Sequence, residues 1–276
     1  MGIFVHSRVW RAIILACGLA WLGPVAGVKA DTLNSSNSSA PDTVAKSAEP
    51  FGLSATPLQG GGLHQKWLGV QHRLDDELVQ LALCDGDREG CVSPAALQFL
   101  AIVDAAKARE GRARFGEINR AINLAIKPAS DLAQYGEIDV WTSPLVTFTR
   151  GAGDCEDYAI AKFVALRLAG ISPEDLRIVI MHDPVRDQDH AVAAAKLDGR
   201  WLTLDNRRMA MVWDVDVRNY RPIFVLDREG VRRYEAAPLL AGRPALDPAP
   251  TVALNIAAQP GVISPAKEAG STAQAD

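Results

Sequence analysis

The chain has 276 residues, of which 48% are hydrophobic and 22% charged, with a formal net charge of −4. That length and balance are ordinary for a soluble globular protein with one good core and room for a small helical annex. The acidic balance offers no basic field to nucleic acid or any other polyanion.

The N-terminus has the pattern of a secretory signal. His6, Arg8 and Arg11 precede a short apolar run at 12–22, and Val28-Lys29-Ala30 ends in small residues suited to a signal peptidase. The run is too short for a membrane span, and bulky Leu15 spoils Ile14-Leu15-Ala16-Cys17 as a lipidation site. Cleavage near Ala30 leaves a periplasmic or secreted protein that keeps Cys84, Cys91 and Cys155 of the 4 cysteines. In an oxidising compartment two of these can pair and one stays free. Cys84 and Cys91 flank a polar, Gly-containing loop that could close into a disulfide ring, which makes Cys155 the odd one out.

Residues 31–63 are rich in Ser, Asn, Pro and Gly without periodicity, the pattern of a flexible leader, and Ala and Pro dominate 237–276 as in a disordered tail. The folded body is then 64–236, a single-domain length. Leu74, Leu78, Leu81 and Ala82 mark a first helix, and Ser93-Pro94 opens a second through Leu97, Leu100 and Val103. Phe115, Ile118, Ile122 and Ile126 stripe a third, stopped by Pro128. Such stripes are core-forming faces. Beyond the turn Trp141-Thr142-Ser143-Pro144, residues 155–169 predict a helix ended by Gly170. Strands are predicted at 176–182, 190–197, 200–206 and 222–226. Helices first and antiparallel strands after make an α+β domain.

Gly151-Ala152-Gly153-Asp154-Cys155 sets a thiol just inside a helix, with Asp154 as N-cap and Asp157 completing a capping-box pattern. A buried cysteine usually acts as a small hydrophobe. The helix start, however, favours a thiolate, and the preceding glycines give a substrate backbone room to approach. Against this, Asp154, Glu156 and Asp157 crowd negative charge beside the thiol, which raises its pKa. Carboxylate oxygens crowded at a helix start also suit calcium, although from residue types alone capping is the commoner explanation.

Asp198-Gly199 is a two-residue hairpin signal. It pairs Leu197 with Arg200 and, counting back, Val192 with Asp205. His190 is then a diagonal neighbour of Asp205 on one face, with Cα atoms roughly 7–8 Å apart, while Asn206 points to the other. A one-residue slip would reverse that choice. Such a pair is often only a surface contact, but joined to a free cysteine at a helix start it becomes nucleophile, base and orienting acid: Cys155, His190 and Asp205. His182 competes from a strand end with no equally placed acid, and His64 and His72 suit the surface. The Cys155 backbone N–H is a natural oxyanion donor, with the Trp141 indole as a candidate second.

GAGDCEDYAIAKFVALRLAGI followed by HAV and LDN resembles the bacterial transglutaminase-like cysteine proteinases, and the likeness runs from about Trp67 to Tyr234, taking in INRAIN at 118–123. The resemblance implies a papain/transglutaminase-like fold, with an antiparallel sheet packed on the nucleophile helix. It implies the triad Cys155, His190 and Asp205, and calcium held by Asp154 and Glu156. It further implies a protein substrate such as a large biofilm surface adhesin, and an inner-membrane cyclic di-GMP receptor as regulator. Peptide hydrolysis through a thioester is the expected chemistry. A transglutaminase or amidase-type acyl transferase and a non-catalytic binding module are the alternatives.

Overall fold

The computed structural model describes residues 49–235 and 238–240. The expected signal peptide at 1–30, the leader up to 48 and the tail beyond 240 lie outside the described residues. Three helices open the domain: α1 (Gly62–Gly86), α2 (Pro94–Lys107) and α3 (Gly111–Ala125). Ser93 caps α2 by accepting from Ala96 N at 3.2 Å, with Pro94 in the first turn, as its sequence dictates. Short pieces follow: β2 (Lys127–Pro128), α4 (Asp131–Tyr135), α5 (Pro144–Arg150) and β3 (Ala152–Gly153). Then comes α6 (Cys155–Leu168), most of which is buried.

The second half is a sheet. Its strands are β4 (Leu176–Asp183), β5 (Gln188–Leu197), β6 (Arg200–Leu204), β7 (Val212–Trp213), β8 (Arg221–Asp227) and β9 (Gly230–Tyr234), joined by an upstream edge strand, β1 (Ala55–Pro57). The order is β1-β9-β8-β4-β5-β6-β7, antiparallel throughout. Both faces of the central strands are covered. Ile178 and Ile180 of β4 join the helix-side core with Trp67, Phe99, Ile122 and Ile160, while Val179 and Met181 join a smaller core with Trp201, Tyr220 and Val225. That double burial explains the unbroken apolar run of β4. Cys84 and Cys91 form a disulfide, Cα atoms 4.9 Å apart, at the end of α1.

Two boundaries differ from the sequence expectation. The folded body begins before residue 64: β1 pairs Ala55 with Tyr234, Phe51 and Leu53 pack on the smaller core, and Glu49 ion-pairs with Arg177 at 2.7 Å. A strand this short carries no readable alternation, and its partners lie more than a hundred residues away in sequence. Leu240, within the expected tail, donates to Tyr220 O at 2.8 Å and accepts from Asn219 N at 3.0 Å.

Candidate active site

The start of α6 is built by its neighbours. Gly151, in the left-handed region at φ 66°, ends α5, and the β2–β3 pairing then lays Ala152-Gly153 beside Lys127-Pro128. A Cβ at Gly153 would lie 2.8 Å from Asp157 Oδ2 and 3.2 Å from Thr147 Cγ2. The glycine therefore makes room for the Asp157 side chain, and it also lines the cleft that holds Cys155. Asp157 is fully buried and braces the turn before α5. Its Oδ1 accepts from Thr142 N at 2.9 Å and Thr142 Oγ1 at 2.7 Å, and its Oδ2 from Asp154 N at 3.4 Å.

Cys155 is the free cysteine among the described residues. Its thiol donates to Glu156 Oε2 at 3.1 Å. Burial pushes the thiol well above its ordinary value and the charge of Glu156 pushes it further, against the Ala191 backbone amide, which favours the thiolate. The conflict expected from the flanking acids is present through Glu156 and Asp154.

Those acids do not all act alike. Asp131, Asp154 and Glu156 bring one oxygen each to within 4.8 Å of one another, whereas Asp157 is committed to Thr142. Burial, then the charge of Glu156, raises Asp154 to about 9, and burial raises Glu156 too. Asp131 Oδ1 and Asp154 Oδ1 are buried without a hydrogen-bond partner. Crowded, all-oxygen and partly unsatisfied, the set fits a hard divalent cation. Asp131 was not legible in advance. It lies 23 positions before Asp154, on a five-residue helix, and only the β2–β3 pairing brings it near.

The hairpin follows the counted register: Leu197 opposes Arg200 and Ala193 opposes Leu204, so that Val192 and Asp205 come next. His190 Nε2 meets Asp205 Oδ1 at 2.9 Å. The imidazole is fully buried and stacks on Tyr220 with ring centroids 6.0 Å apart, and its Nδ1 has no hydrogen-bond partner. Burial works against the Asp205 carboxylate, but the hydrogen bond and charge of His190 outweigh it and hold it below the usual carboxylate range. Asn123 of α3 donates to Asp205 O at 3.1 Å, and Asn119 donates to Arg208 O and Met209 O. The two asparagines are four residues apart on one helix, a polar pair amid an apolar stripe, and that was the available signal for their role.

Cys155, His190 and the acids Asp154 and Glu156 line one cleft of about 950 Å³, walled also by Ile180 and Phe224. His182 and His64 are absent from its lining, and His72 faces another hollow. His182 does have an acid, contrary to expectation: its Nδ1 lies 3.1 Å from Asp189 Oδ1, in a solvent-exposed pair. The Trp141 indole N–H is taken by Asp139 Oδ1 at 2.8 Å, although both residues line the cleft.

A family model of bacterial transglutaminase-like cysteine proteinases (BTLCP) matches residues 81–225. Among solved structures, Legionella pneumophila LapG is similar with a TM-score of 0.47 and 22% identity, over 56% of this chain and 85% of that one. LapG described as calcium-bound aligns with a TM-score of 0.45 and 23% identity, over 50% and 77%. The EGTA-treated form gives 0.47 and 22%, over 56% and 83%. No curated protein matches the chain. The family match spans more than half of the 276 residues and takes in the helix-start cysteine and the histidine–aspartate hairpin: the chain belongs to the bacterial transglutaminase-like cysteine proteinases.

Proposed function

We propose that this peptidase cleaves an exported protein with Cys155 as nucleophile, His190 as general base and Asp205 as the orienting acid. The observation that carries it is the asymmetry of the buried imidazole. Asp205 holds Nε2, and Nδ1 is left without a partner in the cleft that contains the free thiol. Nδ1 takes the thiol proton, the sulfur attacks the peptide carbonyl, and the Cys155 backbone N–H at the helix start donates to the developing oxyanion. The leaving amine takes the proton back from Nδ1. Water, deprotonated at the same nitrogen, then releases the acyl group from sulfur.

Asp131, Asp154 and Glu156 are the residues we assign to a calcium ion, which is also the ion named for one LapG structure. When bound, calcium neutralises the acids that oppose thiolate formation. The Cys84–Cys91 disulfide supports an oxidising compartment, in line with export past a signal peptide ending near Ala30. A large surface adhesin as substrate and an inner-membrane cyclic di-GMP receptor as regulator are proposed from the family resemblance alone.

The test is incubation with exported adhesins, comparing wild type and Cys155→Ala, in calcium and in chelator. Calcium-dependent cleavage that Cys155→Ala abolishes is the expected result. Incorporation of an amine probe without cleavage would replace hydrolysis by acyl transfer, and binding without turnover would end the peptidase assignment.

A further inference from the structure

The face that α6 turns toward the sheet holds a lysine. Lys162 lies two turns beyond Cys155 and is fully buried among core residues such as Ile160, Phe163 and Leu166. Among the described residues its Nζ has a single hydrogen bond, a long one of 3.3 Å to Leu204 O, the carbonyl just before Asp205. An ammonium carries three donors, and a buried charge without a partner is strongly disfavoured. For packing alone, an apolar side chain of similar volume would serve as well or better. The charge itself needs an account.

The opposite charge that bears on Lys162 is Asp205, and the effect is mutual, since Lys162 also helps to hold the Asp205 carboxylate ionised. Among the described residues no rival acid bears on it. The Tyr158 ring lies 5.7 Å away on the same helix, α3 contributes the uncharged Asn123 to the Asp205 carbonyl, and β5 contributes His190 through Asp205 itself. Asp205 is thus held by the imidazole and by the Arg207 amide at 2.9 Å, and Lys162 is bonded to the carbonyl just before it.

We propose that Lys162 is a positioning residue, the buried counter-ion of Asp205, which through that carboxylate fixes the His190 imidazole for its work on Cys155. The proposal rests on the triad reading given above. Burial draws the Lys162 ammonium down to about 7 while Asp205 pulls it up, so the pair can be followed by titration in an accessible range.

The experiment is NMR titration of the calcium-loaded chain with 13C-labelled lysine, the Lys162 Cε resonance being assigned from Lys162→Arg. Asp205→Asn is expected to lower the Lys162 midpoint by about one pH unit or more. An unmoved midpoint overturns the proposal. In a second arm, Lys162→Met is expected to move the acid limb of kcat/KM to higher pH, because the cation that opposed protonation of the His190–Asp205 pair is gone. A purely structural lysine would lower the melting temperature and leave that limb where it was, which also overturns the proposal. The NMR arm needs no substrate, so its failure is separate from failure of the peptidase reading, which the Cys155→Ala assay decides. It also stands if Lys162→Met does not fold.

Discussion

Two groups of buried and half-buried acids in this domain are treated in opposite ways. Glu49 and Asp227, where the N-terminal segment joins the sheet, are matched by arginines. Arg177 Nε lies 2.7 Å from Glu49 and 3.6 Å from Asp227, and Arg232 reaches the same two carboxylates at 3.2 and 2.6 Å. Asp131, Asp154 and Glu156, at the start of α6, face one another with no arginine or lysine paired to them among the described residues, and two of their oxygens have no hydrogen-bond partner there. The first group closes the fold by charge pairing. The second crowds acids together without a balancing base, an arrangement that suits a bound cation or acid–base chemistry.

The sharpest way to break this contrast is to neutralise the second group. Asp154→Asn combined with Glu156→Gln is expected to remove calcium binding by calorimetry and to cut peptidase activity by on the order of a hundredfold or more. The same double variant, free of metal, is expected to melt above the metal-free wild type, because mutual repulsion and unshared burial of charge are relieved. Should its melting temperature fall instead, the acids are structural and the contrast fails.

Next in size comes the first group. Arg177→Met leaves Glu49 and Asp227 with one arginine between them and is expected to destabilise the fold by about 3 kcal/mol, a drop of roughly 10 °C in melting temperature for a domain of this size. Activity per folded molecule should hold, since Arg177 does not line the cleft. A loss of turnover larger than the loss of folded protein would show that the two regions are coupled.

The same contrast separates what the sequence made legible from what it did not. The helix-start cysteine, the hairpin register and the selection of Asp205 over Asn206 follow from local rules: a cap, a two-residue turn and a period of two. The cysteine, the register and the His190–Asp205 contact survive into the structure, but Asn206, expected on the other face, lines the cleft, because β6 ends at Leu204 and the period of two ends with it. Asp131, Lys162 and Glu49 obey no local rule. Each is placed by a contact across the chain: Asp131 by a two-residue parallel bridge, Lys162 by a carbonyl on β6, Glu49 by an arginine on β4. Trp141 and Gly153 show what residue type leaves out: both line the cleft, but nearer partners, Asp139 and Asp157, take the indole N–H and the space at the Gly153 Cβ position.

The smallest effect is the most discriminating, because its sign is unusual. Burial and Glu156 let folded Asp154 keep its proton up to about 9, against an ordinary value of 3.8, and burial lets Asp157 keep its proton up to about 6. A carboxyl that binds its proton more tightly when folded adds stability that is complete below its unfolded pKa and is lost as pH rises through the folded one. Asp205 runs the other way, since its folded value is lowered: its contribution is present above the ordinary carboxylate range and fades as pH falls. Together these place the most stable metal-free state near the ordinary carboxylate range: stability falls below it as Asp205 is protonated, and falls above it as pH rises toward about 6 for Asp157 and about 9 for Asp154. The metal-free melting temperature should therefore decline by several degrees between pH 6 and 9, within the window set by Asp154. Saturating calcium should flatten or reverse that decline, because a bound dication requires the ionised acids and removes the repulsion between them. The arginine-paired acids have no such dependence on calcium, so Arg177→Met should shift the whole curve down and leave its slope unchanged. A metal-free slope that matches the calcium-loaded one would mean that the acids beside Cys155 are already satisfied by the protein, and the distinction between the two clusters would be lost.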